Sequence, residues 1–164
     1  MTPKTPTPEQ LRAIAPPATA ALLAVLSVWL LWDGSSRNSA EKAGAQALAA
    51  ARESIVAMGS YQPANAEQTL AAARDRLTGP FLDAYTQAIQ TVVIPTAKAK
   101  KMSSAVAVPA LGVASAQSDR AVLLAYVDQT LTVGGDKPVG NPSRYRVTMD
   151  KVDGRWLIAG FDQI

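Results

Sequence analysis

Tyr145 and Asp162 are the residues whose types and placing come nearest to chemistry. Asp153-Gly154 is a type I′ hairpin signal, and a two-residue loop there pairs positions whose numbers sum to 307. That register sets Tyr145 opposite Asp162, and a phenol beside a carboxylate in an apolar pocket can move protons. Against this, Asp162 falls at a sheet edge close to the end of the sequence, where water solvates it. The other candidates are Lys98, Lys100 and Lys101. They could meet anionic headgroups at roughly 1 kcal/mol each near a membrane surface, or form the solvated cationic end of a helix. The chain has no histidine and no cysteine. That excludes Ser-His catalysis, His- or Cys-ligated metals, thiol nucleophiles and disulfides. The residues therefore predict no catalytic residue, no metal and no cofactor.

The elements that must hold these groups change period at Lys101. Before it the spacing is helical. Helix one is expected over Ser39–Met58, with Gly44, Leu48, Ala51, Ile55 and Met58 on one face. Helix two opens at Asn65, a capping residue with Gln68 three positions on, and turns Ala66, Leu70, Ala73 and Leu77 inward. Thr78-Gly79 reads as its C-cap. Pro80 restarts a third helix along Phe81, Tyr85, Ala88 and Val92, which Pro95 kinks or ends.

Beyond Lys101, Ala105–Ala114, Ala121–Val133, Ser143–Val152 and Arg155–Ile164 read as strands, rich in Val, Leu and Tyr. Gly134–Asn141 reads as a mobile hairpin loop. The 307 register places Val147 opposite Gly160, Met149 opposite Ile158 and Lys151 opposite Trp156, a plausible cation–π pair. This face is the core side; Arg146 with Phe161 lies on the other. Helices followed by a meander of strands predict an α+β domain, a curved antiparallel sheet of about four strands packed on about three helices.

Before the domain, Ala13 to Trp32 is a stretch of twenty uncharged residues, about the length that crosses a ~30 Å hydrocarbon layer. Pro16 and Pro17 shorten the regular helix to roughly 24 Å, which asks for flanking residues or local thinning of the bilayer. Trp29 and Trp32 suit an interfacial belt. A cleaved signal peptide ending near Gly34 and Ser36, or a buried core helix, is the alternative. The expected organisation is a disordered tail at 1–12, a transmembrane anchor at 13–33 and a folded domain at 39–164. Lys4 and Arg12 lie on one side of the span, Arg37 and Lys42 on the other. The reading adopted has the N-terminus cytoplasmic and the domain extracytoplasmic, on a single-pass protein of the cell membrane. The net charge is +3, but residues 33–164 carry 14 basic and 12 acidic side chains. So even a balance gives no nucleic-acid footprint.

Several short motifs resemble a family. A single N-terminal span, an Ala-rich helix and Leu77-Thr78-Gly79-x-Phe81-x-x-x-Tyr85 are similar to the Mce-associated membrane proteins of mycobacteria and their relatives. So are Val113, Asp119-Arg120-Ala121, Gln129-Thr130 and the stretch Lys151-Val152-Asp153-Gly154-Arg155-Trp156-Leu157. The chain departs from that pattern at Tyr61-Gln62. The resemblance implies an NTF2-like (VirB8-like) fold behind the span and a role assisting Mce complexes, which import lipids across the envelope. It brings no catalytic residues.

Together these readings lead us to expect a non-enzymatic accessory or scaffold subunit. Its partners would be Mce-type transporter subunits or other envelope membrane proteins, and the membrane itself through residues 13–32. A lipid carrier is the alternative, with a cone interior lined by Tyr145, Val147, Met149, Trp156 and Ile158. A VirB8-like secretion-system assembly factor is a third reading. An open apolar interior would favour the carrier; a filled one would favour the scaffold.

Overall fold

The computed structural model of the protein describes residues 38–164. The tail and candidate anchor lie outside the described residues. No helix among the described residues is long and apolar enough to cross a membrane. Ser39–Ile164 forms one compact unit.

Helix α1 occupies residues 38–59 and buries Ala43, Gly44, Ala47, Ala51, Ser54 and Ile55. The expected stripe named Gly44, Ala51 and Ile55 correctly. Leu48 is only half-buried, and Ala43 and Ala47 take the central place. Small side chains win there because the helix lies close on the sheet: a Cβ at Gly44 would stand 3.3 Å from that of Ala116.

Helix α2 (Ala66–Ala73) buries Ala66, Leu70 and Ala73 as its spacing predicts, with Leu77 completing the line. The capping box does not form. Asn65 precedes the helix, but its Oδ1 accepts a hydrogen bond from the Gln62 N–H at 3.0 Å. It closes the preceding turn instead. A short 3-10 turn (Arg74–Arg76) follows, and Thr78 becomes the residue preceding α3 (Gly79–Ala88). Gly79, with φ +60°, thus opens the third helix and does not close the second.

Pro95 does not end the third helix. Helical backbone continues through a π segment (Ile89–Val93) into α4 (Ile94–Lys100). Proline has no N–H to donate and crowds the carbonyl one turn back, and the wider π turn before it absorbs both effects. The widening also rotates the inner face. Ile89 and Ala97 are buried with Val93 partly so, while Ala88 and Val92 (60% exposed) point out. Lys101, at φ 49°, ends α4 in a left-handed conformation.

The sheet is a meander, β1 (Met102–Ala116), β2 (Arg120–Val133), β3 (Val139–Val152) and β4 (Arg155–Gln163), in the order β1-β2-β3-β4. Val139–Pro142 pair with Asp128–Leu131, so the β2–β3 loop is shorter than the expected Gly134–Asn141. Asp153 and Gly154 take φ 49° and 79°, the two positive angles a type I′ turn demands. The 307 register then holds from Val152↔Arg155 to Met149↔Ile158 and breaks. Ala159 is an extra residue in β4. Beyond it Gly160 pairs with Thr148, Phe161 with Val147, Asp162 with Arg146 and Gln163 with Tyr145. The expected pairs Val147–Gly160 and Tyr145–Asp162 are therefore absent. A one-residue bulge reverses which face every later side chain meets.

The helices cover one face of the sheet. Leu123, Val147, Met149 and Ile158 have no exposed surface and form the centre of the core with Ala47, Ala51 and Ile55 of α1. Each large apolar side chain buried this way contributes about 1.5–3 kcal/mol. The stretch 104–108 of the β1 edge is covered by α1 and the α1–α2 connection. Ser104 exchanges both backbone hydrogen bonds with Tyr61, the Val106 N–H donates to Ser60 Oγ, and Arg52 donates to the Val108 carbonyl.

Candidate functional site

Where α1 ends above the inner face of the sheet, the core is incompletely filled. A cavity of about 150 Å³ is lined there by Ile55, Met58 and Gly59 of α1 and Val106 of β1. Val127 and Gln129 of β2, Asn141, Ser143 and Tyr145 of β3, and Phe161 of β4 complete it. Its roof depends on a close approach: a Cβ at Gly59 would lie 2.6 Å from Val106 Cγ2, so only glycine lets the last turn of α1 settle here. The hydroxyl of Tyr85 donates to the Met58 carbonyl at 3.0 Å, satisfying one of the carbonyls a helix end leaves unpaired. Burial pushes the Tyr85 phenol well above its ordinary value, so it remains a protonated donor.

An aromatic chain forms one wall. Tyr145 and Phe161 stack with centroids 4.2 Å apart and planes at 23°. Phe161 in turn lies 6.2 Å from Phe81, which is 6.4 Å from Tyr85. The spacing Phe81-x-x-x-Tyr85 thus has a structural role, carrying the stack from β4 to the end of α1. Sequence reasoning put Phe161 on the outer face. Nothing in the local pattern marks the bulge at Ala159 that turns it inward.

The polar rim consists of Gln129, Asn141 and Ser143. Gln129 Nε2 donates to Ser104 Oγ at 3.0 Å. Asn141 and Ser143 make no side-chain hydrogen bond among the described residues.

Of the residues named as pocket lining, Tyr145 borders this cavity. Val147, Met149 and Ile158 lie wholly inside the core. Trp156 borders a different feature, an open groove of about 450 Å³ flanked by Glu53, Asp75, Arg76 and Arg155. There Lys151 Nζ stands 5.6 Å from the Trp156 ring, and both Lys151 and Trp156 donate to Gln46 Oε1 at 3.4 Å. Arg155 donates to the Asp75 carbonyl at 2.9 Å. The hairpin motif is therefore a clamp on α1 and the 3-10 turn.

Tyr145 and Asp162 do not meet. Asp162 is exposed and faces Arg146 across the strand pair, on the side away from the helices. Lys98 pairs with Glu67 at 2.6 Å and draws the Glu67 carboxyl below its ordinary value, while Lys100 and Lys101 are exposed. Among the described residues no three acidic side chains converge as a metal site needs.

The geometry has relatives. The chain is 44% identical over 135 residues to the outer membrane protein Rv1973 of Mycobacterium tuberculosis, covering 82% of this chain and 84% of that protein. An IcmL-like type IV secretion system protein of Legionella pneumophila has the same fold, with a TM-score of 0.63 at 10% identity, over 73% of this chain and 91% of that one. So does the VirB8 protein of Agrobacterium tumefaciens, with a TM-score of 0.57 at 15% identity, over 71% and 88%. No family model matches the chain. The fold is thus the VirB8-like form of the NTF2-like domain, three helical bodies on a four-stranded antiparallel sheet.

Proposed function

The chain belongs to the family of the mycobacterial outer membrane protein Rv1973, and from that premise we propose that it is a non-enzymatic scaffold subunit of an envelope protein complex. The observation that carries this reading is the small size of the cavity inside the cone. Its interior cavity of about 150 Å³ is well below the ~300–1,000 Å³ of pockets that enclose a drug-sized ligand. A lipid carrier needs more room than that. The bulge at Ala159 parts Tyr145 from Asp162, which takes away the support that this pair would have lent a proton-transfer reading.

The finer reading is that the complex is of the Mce type, supported by the motif Leu77-Thr78-Gly79-x-Phe81-x-x-x-Tyr85 and the hairpin Lys151–Leu157. This reading keeps the anchor expected at 13–32, which lies outside the described residues, and with it the domain on the outer side of the cell membrane. That the relative is named an outer membrane protein supports an envelope location. Confinement to one membrane raises effective concentration, so weak contacts suffice for assembly. A VirB8-like assembly role in another envelope machine is the second reading, favoured by the shared fold, which by itself does not choose a function.

The test is deletion of the gene followed by measurement of envelope complexes in native membranes. Depletion of an Mce-type complex, restored by the intact chain, is the expected result. Depletion of a secretion apparatus instead selects the second reading, and unchanged complexes with loss of an enzymatic product overturn both.

A further inference from the structure

We propose that the cavity beneath the end of α1 is a socket for one aromatic side chain of a partner polypeptide, whose main chain is held by Asn141 and Ser143. The proposal rests on the scaffold reading and gives it a contact point. Size comes first. A dry apolar cavity of about 150 Å³ in another protein is known to bind benzene, and the cavity here has a volume of about 150 Å³. It therefore matches one ring in size and is too small to enclose a sterol or a fatty acyl chain.

The walls agree with a ring as occupant. Met58 and Val106 supply polarizable and apolar contacts on one side, and the stacked Tyr145–Phe161 pair presents an aromatic surface on the other. Rings prefer offset or edge-to-face neighbours with centroids about 4.5–7 Å apart, a spacing that Phe161 already shows with Phe81 at 6.2 Å.

The rim selects a peptide over a free hydrocarbon. Asn141 is exposed and Ser143 half-buried on β3, both border the cavity, and both have free side-chain donors and acceptors. An amide and a hydroxyl two residues apart on one strand face the same side. They can bond the C=O and N–H groups that flank an inserted side chain. Strand addition along residues 104–108, the part of β1 beside the cavity, is not the docking mode, because Tyr61, Ser60 and Arg52 already occupy that stretch of edge. A buried aromatic anchor in a small pocket with a polar rim is the arrangement that concentrates binding energy in a few residues.

The experiment uses the full chain in a membrane-mimicking polymer with ¹³C-labelled Ile, Met and Val methyl groups. It is titrated with N-acetyl-phenylalaninamide and, in parallel, with N-acetyl-alaninamide. Saturable shifts at Met58, Val106 and Val127 with the phenylalanine probe, and none with the alanine probe, are expected. The Val92 methyls, outside on the third helix, stay still. Ser143→Leu, which fills the cavity from its rim, abolishes the shifts. Asn141→Ala, at an exposed position that leaves the fold intact, weakens binding several-fold. Equal response to both probes, response at Val92, or full binding by Ser143→Leu overturns the socket. The scaffold reading is read separately, from complex levels in cells. If the probe binds and deletion leaves every envelope complex intact, the scaffold falls and the socket stands. If Ser143→Leu restores assembly as well as the wild type does, the socket is not the contact the scaffold uses and the proposal fails.

Discussion

The Phe161 ring lies stacked on Tyr145, centroids 4.2 Å apart, because the bulge at Ala159 turns β4 by one residue just before it. Phe161→Ala removes a half-buried ring from the end of the aromatic chain. A loss of about 2 kcal/mol is expected, below the ~3–5 kcal/mol of a fully buried phenylalanine. Phe161→Leu should keep most of that stability. Urea unfolding of both variants checks this; equal stability of Phe161→Ala and wild type would place the ring outside.

Deleting Ala159 should straighten β4 without moving Phe161, because Gly160, Phe161 and Asp162 keep Thr148, Val147 and Arg146 as partners once the extra residue is gone. The expected loss of stability is smaller than that of Phe161→Ala. A loss as large as that of Phe161→Ala would show that the bulge itself is needed to seat the ring.

Tyr145→Phe and Asp162→Asn should both complement a deletion strain fully. In a double-mutant cycle the two positions should couple by less than ~0.5 kcal/mol, as residues without shared contacts do. Loss of function in either conservative variant, with normal accumulation of folded protein, would return the catalytic reading.

Trp156 is 7% exposed and is held against α1 through Gln46 Oε1. Trp156→Ala should cost about 3–5 kcal/mol. Gly154→Val, at φ +79°, should cost about 1–2 kcal/mol. Thermal unfolding measures both. An unchanged melting temperature for Trp156→Ala contradicts the clamp.

Burial raises the Tyr85 phenol above its ordinary value of 10.0, and that of Tyr61 in the same direction. The folded state therefore holds these protons more tightly than the unfolded chain. Their contribution is complete below pH 10.0 and declines as pH rises above it toward the folded-state values. Tyr85→Phe should flatten the alkaline fall in stability without removing it, because Tyr61 still titrates. An alkaline limb identical to the wild type would show that the Tyr85 hydroxyl is solvated.

The chain's own pattern carries most of the framework. The Asp153-Gly154 turn, four strands with their core face at Val147, Met149, Trp156 and Ile158, and the inner line of α2 follow from local preferences and two-residue or helical periods. These are properties of neighbours in sequence, so they are readable there. What tertiary structure decided were two single-residue shifts and one close approach. The π segment before Pro95 and the bulge at Ala159 each rotate a face, and each is stabilised by packing against elements distant in sequence. Alanine at 43 and 47 sits inside because α1 lies near the sheet, a distance that hydrophobicity does not report. The size of the cavity follows from the same contacts. Gly59 meeting Val106 and Phe161 turning onto Tyr145 leave room for a single ring; the first contact exists only when helix and sheet are brought together, and the second only when β3 and β4 pair across the bulge.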